Sequence, residues 1–292
     1  MKRSRFLYLI CAIFISCRNE LRSEIGSQAY RMTGEIVDFG PRPPGSPAIQ
    51  KVRDWIEQKA TNMGFALIKR PFVAKTPTGF VNMVNLSYNI PGMQHQGQVI
   101  LVAHYDSKTF SDKKFVGAND AASSVALLLA LSPKIQKLNL PFDVQVAFVD
   151  GEEAFVEWNF HDSLYGSRQM VQDIRDRSSI KALIVADMIG DKNLTYVRSR
   201  GVDEKLFSYF EQALAEMKES DKLETQWTYV MDDHTPFVEA GIPSLHLMDF
   251  TYGSHSSPGI FWHTENDTME NISAESLSIT GEAILRVLKK IQ

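Results

Sequence analysis

The chain has 292 residues, 44% of them hydrophobic and 10% aromatic, which is enough for one large domain with a substantial core. Its formal net charge of -4 offers no basic surface that could neutralise a phosphate backbone. The composition is therefore that of an ordinary globular protein, and it argues against a nucleic-acid partner.

The N-terminus has the pattern of an export signal. Basic residues among the first five precede an apolar run at 6–15, which is too short to span a membrane. Cys17 follows this run and resembles the lipid-attachment site of bacterial lipoproteins, although Phe14 stands where that pattern usually has Leu. We predict an export signal over residues 1–17 and a lipid anchor on Cys17 in a bacterial cell envelope, with a secreted protein or a short uncleaved anchor as the alternatives.

Residues 18–24 are predicted to be a short polar tether, and a single domain is predicted from residue 25 to residue 292. Both cysteines of the chain, Cys11 and Cys17, lie before this domain. The domain can therefore hold neither an internal disulfide nor a cysteine metal site, and any metal must be bound by His, Asp or Glu. Contact with a membrane is expected only through the lipidated N-terminus.

Helix-like and strand-like segments alternate along the predicted domain. A first helix is predicted at 25–39, and Ser46 is a suitable N-cap for a second, which Gly64 ends. Some strands, such as Val99 to Ala103, are continuous apolar runs, which implies burial on both faces. Strands are predicted at 67–74, 81–88, 98–104, 144–149, 182–188, 194–198, 226–230 and 244–248, and further helices at 121–131, 163–176, 203–218 and 274–290. The fold predicted is an α/β three-layer sandwich, with helices on both faces of a central, twisted, mixed but mostly parallel sheet.

Polar side chains stand where several predicted strands end, which is where ligands bind in such folds. Glu152 and Glu153 follow the strand at 144–149. Adjacent side chains leaving a strand point in opposite directions, so one glutamate can hold a metal while the other handles a proton. Comparable positions are occupied by His104, Asp120 and Asp187, and later in the chain by His263.

Asp120, Glu153 and His263 would supply the three protein ligands of a catalytic zinc site with one position left open. Taken singly, Asp120 could be a helix cap and His263 a partly buried structural histidine. Such groups at the ends of several buried strands are costly without a partner, which favours a shared site. His104 and Asp187 could complete a second metal site bridged by Asp120, or could form hydrogen bonds around a single zinc.

Two later segments carry further titratable residues. Asp232 and His234 precede Thr235 and Pro236 in a pattern typical of a helix start. Asp232 could favour that helix through its charge or could belong to a proton network. His246, inside the strand at 244–248, is predicted to be a hydrogen-bonded core histidine rather than a ligand.

Together these segments resemble the glutaminyl cyclases, or glutaminyl-peptide cyclotransferases, of the zinc aminopeptidase clan. The resemblance is most specific from Glu152 to Arg168, because the aminopeptidases of the clan usually have a shorter segment after the glutamate pair. It covers nearly all of the mature chain, with other matches at 40–42, 104–108, 117–120, 187–190, 232–237, 241–246 and 262–264.

The resemblance implies a zinc aminopeptidase-like fold and an acyltransferase acting on peptides or proteins with an N-terminal Gln, and we expect a monomer. Cyclisation of that Gln to pyroglutamate would release ammonia. The resemblance implies one zinc and a cis peptide bond after Asp120. The implied residues are the zinc ligands Asp120, Glu153 and His263; the acid/base Glu152 in a carboxylate network with Asp187 and Asp232; and His104 and His234 beside it, as hydrogen-bonding groups or second-metal ligands.

A substrate pocket lined by Trp158 and Trp262 is also implied, with Met231 and Phe261 beside them. The chain departs from the family here. Met231 stands where vertebrate members carry Gln, and residues 258–261 replace a stretch that in those members includes an earlier aromatic residue. The disulfide found near the active site of the animal enzymes is absent as well.

Two other functions remain open. In a di-zinc aminopeptidase the same residues would hold two metals, and Glu152 would activate water against a peptide bond. The long segment after Glu153 argues against this function. A non-catalytic lipoprotein that keeps the fold is disfavoured because no metal or acid/base position is lost.

Overall fold

A computed structural model describes residues 24–292 of the chain. The strands are β1 (Ile68–Thr76), β2 (Gly79–Ile90), β3 (Gln98–His104), β4 (Asp143–Val149), β5 (Ile180–Asp187), β6 (Tyr196–Ser199), β7 (Leu223–Thr228) and β8 (Ser244–Met248). The α-helices are α1 (24–37), α2 (Pro47–Asn62), α3 (Ser124–Gln136), α4 (Tyr165–Asp173), α5 (Glu204–Met217), α6 (Thr235–Glu239) and α7 (Ala274–Lys290).

Six strands form the main sheet in the order β1-β2-β4-β3-β5-β8. β4, β3, β5 and β8 run parallel, whereas β2 is antiparallel to β4 and β1 is antiparallel to β2. The predicted mixed and mostly parallel sheet is therefore confirmed. Two of the eight predicted strands do not join it, because β6 and β7 pair with each other in a separate parallel sheet.

Helices cover both faces of the main sheet. On β3, Val99 and Leu101 belong to the larger apolar cluster with α1, α2, α3, α5 and α7, while Ile100 and Val102 belong to a second cluster with α4 and α6. This alternation follows from the period of two along a strand, and it explains why the central strands are apolar without interruption. The three-layer prediction is confirmed by these two clusters.

The largest difference from the predicted elements is at the start of α3. A helix was expected from Ala121, but a π-helical turn at Ala118–Ser123 comes first, and the α-helix begins at Ser124. Asp120 and Ala121 have non-helical backbone angles within this turn. The apolar pattern locates the helix but does not reveal this irregular first turn, which carries Asp120.

The boundary of the predicted tether also shifts. Glu24 was expected in the tether, but it lies in α1, and its carboxylate pairs with Lys134 at 2.6 Å. The predicted signal at 1–17, with Cys17, lies outside the described residues. Between residues 24 and 292, no helix is both long and apolar enough to cross a bilayer.

The parallel strands bring the predicted site residues to one edge of the sheet. His104 at the end of β3 lies opposite Val149 at the end of β4, and Asp187 ends the neighbouring strand β5. Glu152 and Glu153 follow β4 at the same edge. The carboxyl ends of β3, β4 and β5 therefore form the floor of one site.

Candidate active site

Asp120, Glu153 and His263 lie together at this edge. His263 Nε2 is 3.1 Å from Glu153 Oε1 and 3.4 Å from Asp120 Oδ2. One potential ligand atom from each residue lies within 4.8 Å of the other two. The structure thus assembles the predicted ligand set, and its role as a metal site stays a prediction.

Asp267 holds the turn that presents Asp120. The backbone N–H groups of Asn119 and Asp120 donate to the two Asp267 carboxylate oxygens at 2.7 and 3.1 Å. The Tyr252 hydroxyl donates to the same carboxylate at 2.9 Å. The peptide bond from Asp120 to Ala121 is cis, as the resemblance implied. Asp267, which the sequence interpretation did not single out, fixes the direction of the Asp120 side chain.

Arg42 supports the same turn from within the core, where its side chain is fully buried. Its guanidinium donates to the carbonyl oxygens of Tyr105, Val116 and Gly117. Burial lowers the pKa of Arg42 to about 10, while carboxylates that include Asp267 oppose this effect, so the group stays charged at neutral pH. Arg42 thus links the chain after β3 to the turn before α3.

Replacing Arg42 by Met is expected to lower the free energy of unfolding by more than about 3 kcal/mol. Each buried carbonyl left without a donor costs about 1–3 kcal/mol, and three are affected. Urea denaturation of both proteins measures the change. The exposed Arg31→Met is the matched control and should shift stability by less than about 0.5 kcal/mol. Equal denaturation midpoints for R42M and wild type would contradict this role.

Glu152 and Glu153, which follow β4, direct their side chains to different partners. Asp106 accepts hydrogen bonds from the N–H groups of both Glu152 and Glu153, at 3.2 and 3.3 Å. The Glu153 carboxylate contacts His263, while a Glu152 oxygen lies 4.0 Å from His104 Nε2. The two side chains therefore face different partners, as predicted from their adjacent positions.

Aromatic rings and carboxylates surround His263. The Trp262 ring stacks on its imidazole with centroids 3.9 Å apart, and Phe110 and Phe115 approach it edge-on. Burial by itself lowers the pKa of His263, but Glu153 and the nearby Asp120 outweigh burial and raise it to about 9. The imidazole therefore faces a strongly negative site that also suits a cation.

His104 joins a second group of potential metal ligands. Its Nε2 is 3.1 Å from Asp120 Oδ1 and 3.3 Å from Asp187 Oδ1. Ligand atoms of these three residues also lie within 4.8 Å of one another. Asp120 belongs to both groups, so the arrangement permits the bridged second metal that the sequence left open.

Glu152, Asp187 and Asp232, which the resemblance groups in a carboxylate network, are all buried, and the charge of Asp232 acts on both of the others. Burial is the main reason that the pKa of Glu152 lies well above its ordinary value, and Glu153, Asp232 and Asp233 add to the shift. The charge of Asp187 is not among the main causes of this shift. Its own pKa is raised to about 7, chiefly by burial.

Asp232 connects the network to a buried histidine. His246 Nε2 lies 2.5 Å from Asp232 Oδ2, and His246 Nδ1 lies 2.7 Å from Ser199 Oγ. His246 is thus the hydrogen-bonded core histidine predicted, but its partner belongs to the predicted carboxylate network, which the sequence did not indicate. His234 stacks on His246 with centroids 4.2 Å apart. Asp232, His234 and His246 form a third group of potential metal ligands. However, Asp232 Oδ2 and His246 Nε2 are 2.5 Å apart, a hydrogen-bonding distance, whereas the ligand atoms of a tetrahedral zinc are roughly 3.3 Å apart.

A cavity of about 290 Å³ opens above Glu152. Trp158, Trp262 and Met231 line it, as the resemblance implied. Phe261 does not, which corrects its predicted place, because its ring packs edge-on against Tyr252 with centroids 5.3 Å apart. The remaining apolar or aromatic lining was missed: Tyr229, Val230, Met248 and Phe250. Met248 ends β8 and Phe250 follows it, so the strand-end argument could have found both.

The group formed by Asp120, Glu153 and His263 is suited to a bound cation, because it contains a buried acceptor atom without a hydrogen-bond partner. Glu153 Oε2 is buried and has no hydrogen-bond partner among the described residues. Lys108 Nζ lies 3.6 Å from Glu153 Oε2, beyond hydrogen-bonding distance. Buried acceptors without partners are costly, and a cation would satisfy them. Asp120, Glu153 and His263 together offer two carboxylates and one imidazole, which are ligands that suit zinc.

Comparisons with known proteins agree with this geometry. The family model described as peptidase family M28 matches residues 85–288. The glutaminyl-peptide cyclotransferase-like protein of Bos taurus is 30% identical over 264 residues, which cover 79% of this chain and 67% of that protein.

Solved structures show the same similarity. The glutaminyl cyclase of an Acidobacteriales bacterium superposes with a TM-score of 0.85 and 34% identity, over 91% of this chain and 94% of that one. A Zn-dependent exopeptidase from Parabacteroides distasonis superposes with a TM-score of 0.82 over 90% of this chain and 97% of the other. At 22% identity, the exopeptidase shows only the shared fold. The chain therefore belongs to peptidase family M28, within the group that includes the glutaminyl-peptide cyclotransferases.

Proposed function

We propose that this protein is a zinc-dependent glutaminyl-peptide cyclotransferase, an acyltransferase that converts an N-terminal Gln to pyroglutamate and releases ammonia. The 34% identity to a glutaminyl cyclase and the 30% identity to a cyclotransferase-like protein support this proposal. The substrates would be peptides or proteins with an N-terminal Gln, and the enzyme would work as a monomer.

The observation that carries the proposal is the ordered loop after the glutamate pair. Hydrogen bonds from Leu164 N–H to the Glu152 carbonyl and from Tyr165 N–H to the Gly151 carbonyl, both at 2.8 Å, close this loop at its base. Trp158, near its middle, lines the cavity. The loop therefore builds a wall over the site, and the aminopeptidases of the clan usually have a shorter segment at this position.

Asp120, Glu153 and His263 would hold one zinc ion. When bound, zinc would supply Lewis-acid polarisation of the γ-carbonyl of the substrate glutamine and stabilise the negative charge that develops on its oxygen. Glu153 belongs to this group through its contact with His263, which leaves Glu152 for proton transfer.

Glu152 would move the proton. The attacking α-amine loses a proton and the departing ammonia gains one, which a single positioned carboxyl group can provide. Burial raises the pKa of Glu152 well above its ordinary value, with help from Asp232, so the group can hold a proton near neutral pH. His246 fixes Asp232 through its 2.5 Å contact. Asp187, which contacts His104, adds another acidic group near Glu152.

The cavity walls would orient the substrate. The glutamine side chain must fold back so that its own amine meets the γ-carbonyl, and a compact apolar cavity favours such a conformation. Trp158, Trp262, Met231 and Phe250 provide apolar surface at this position. The same surfaces exclude water, which would otherwise compete with the amine as nucleophile.

A di-zinc aminopeptidase is the second candidate, and one observation favours it. His104, Asp120 and Asp187 form a second group of donor atoms beside the first. A second zinc held there would be bridged to the first by Asp120, and Glu152 could then activate water. The metal count therefore separates the two proposals.

The proposal is tested by incubating purified protein with an N-terminal Gln peptide and, separately, with an amino-acid anilide. We expect ammonia from the Gln peptide, no free aniline, and one tightly bound zinc per chain by elemental analysis. Anilide cleavage at two zinc ions per chain would establish the aminopeptidase instead. Zinc binding without either reaction would indicate a non-catalytic protein that keeps the fold.

We further propose that the enzyme is exported and held in a bacterial cell envelope through a lipid on Cys17. The support is the sequence pattern of residues 1–17 alone. Mass spectrometry of the protein extracted from membranes, compared with Cys17→Ser, measures the lipid. An unmodified wild-type N-terminus would contradict the anchor.

A further inference from the structure

The Asp162 carboxylate lies inside the loop that carries Trp158. Its side chain is 2% exposed, so nearly all of its hydrogen-bonding capacity is directed at the protein. The N–H groups of Phe155, Val156 and Glu157 donate to it at 3.0, 2.8 and 2.9 Å. The residue after these three is Trp158.

A fourth donor joins this carboxylate to helix α4. The Tyr165 hydroxyl donates to Asp162 Oδ1 at 2.9 Å, and the Tyr165 ring packs edge-on against Phe155 with centroids 5.9 Å apart. Hydrogen bonds to an ionised carboxylate are roughly twice as strong as neutral ones. These bonds outweigh burial and lower the pKa of Asp162, so the carboxylate is charged at neutral pH.

We propose that Asp162 is a positioning residue that fixes the 155–157 backbone and thereby holds Trp158 against the substrate cavity. This role rests on the proposed function, in which Trp158 belongs to the cavity wall that orients the substrate. Asp162 itself does not line the cavity, so it would act only through the loop. Without the carboxylate, three consecutive N–H groups would lose their acceptor, and the direction of the next side chain would no longer be fixed.

Asp162→Asn is the direct test, because the side chain keeps its size but loses its charge and one acceptor oxygen. We expect faster amide hydrogen exchange at residues 155–157 in the free protein. For an N-terminal Gln peptide we expect a rise in KM that lowers kcat/KM by roughly tenfold, with kcat and zinc content little changed. The exposed Asp173→Asn is the matched control and should change none of these quantities.

A double-mutant cycle separates positioning of Trp158 from general support of the fold. If Asp162 acts through Trp158, Asp162→Asn should change kcat/KM by less than about twofold when it is added to Trp158→Ala. An equal loss of kcat/KM with and without Trp158 would overturn the proposal, as would unchanged hydrogen exchange in D162N.

Tyr165→Phe provides a milder variant should D162N fail to fold. It removes one donor and should increase exchange at 155–157 by a smaller factor, whereas unchanged exchange would count against the proposal. Failure of the proposed function is seen separately, as the absence of ammonia release by the wild-type protein. The proposal would then be decided by acrylamide quenching of Trp158 in a chain whose other three tryptophans are Phe, where D162N should increase quenching.

Discussion

Replacing Glu152 by Gln is expected to lower kcat for an N-terminal Gln peptide by about 10³-fold, within the range for a positioned acid/base. The amide keeps the shape of the side chain but cannot take up and return the proton. Zinc should stay bound, because Asp120, Glu153 and His263 are unchanged. Turnover by ammonia release and zinc content by elemental analysis, measured on the same preparation, check both expectations.

The E152Q protein should also fold as well as the wild type. Burial and the neighbouring carboxylates already disfavour the ionised form of Glu152, so a neutral amide removes a repulsive charge. The exposed Glu204→Gln is the matched control and should leave kcat unchanged. Retention of more than about a tenth of wild-type kcat by E152Q would contradict the assignment, because acid/base catalysis contributes at least 10²-fold.

His263→Ala is expected to weaken zinc binding by more than about 100-fold. Loss of a residue that only hydrogen-bonds to a metal ligand typically costs about 10–100-fold in affinity, and loss of the ligand itself should cost more. The imidazole is the one nitrogen donor of its group, and its Nε2 lies between Asp120 and Glu153. Competition with a chromophoric chelator measures the affinity. Ammonia release should fall with zinc occupancy and recover in part when excess zinc is supplied.

His255→Ala is the matched control for this change, because His255 is exposed in the same loop region, eight residues earlier in the chain. It should bind zinc as tightly as the wild type. Equal zinc affinity in H263A and H255A would exclude His263 from the metal site and would leave the group formed by His104, Asp120 and Asp187 as the site.

The sequence predicted the sheet and the strand-end residues well, for a physical reason. A parallel strand buried on both faces must be apolar along its length, so the polar residue that ends it stands out. β3 and β8 have the predicted bounds, and His104 and Asp187 lie at the edge where the pattern placed them. The resemblance added the cis bond after Asp120, which no local pattern indicates.

The supports of the site were not predictable in the same way. Asp267 holds the turn of Asn119 from 148 residues away in sequence, and Arg42 reaches Gly117 across 75 residues. Such contacts leave no periodic signal, because each depends on the packing of distant segments. The prediction for Phe261 was wrong for a different reason. Phe261 is adjacent to Trp262 in sequence and was predicted beside the substrate pocket, but its ring packs against Tyr252 and does not line the cavity.

The spacing of the three predicted zinc ligands along the chain links metal binding to the folding of the whole domain. Glu153 and His263 are separated by 110 residues, and Asp120 comes from a third segment. An unfolded chain would lose considerable entropy by bringing these side chains together, so zinc should bind the native state far better than the denatured ensemble. Available zinc would then stabilise every helix and strand of the sandwich at once, which ties the survival of the folded protein to the zinc concentration of its surroundings.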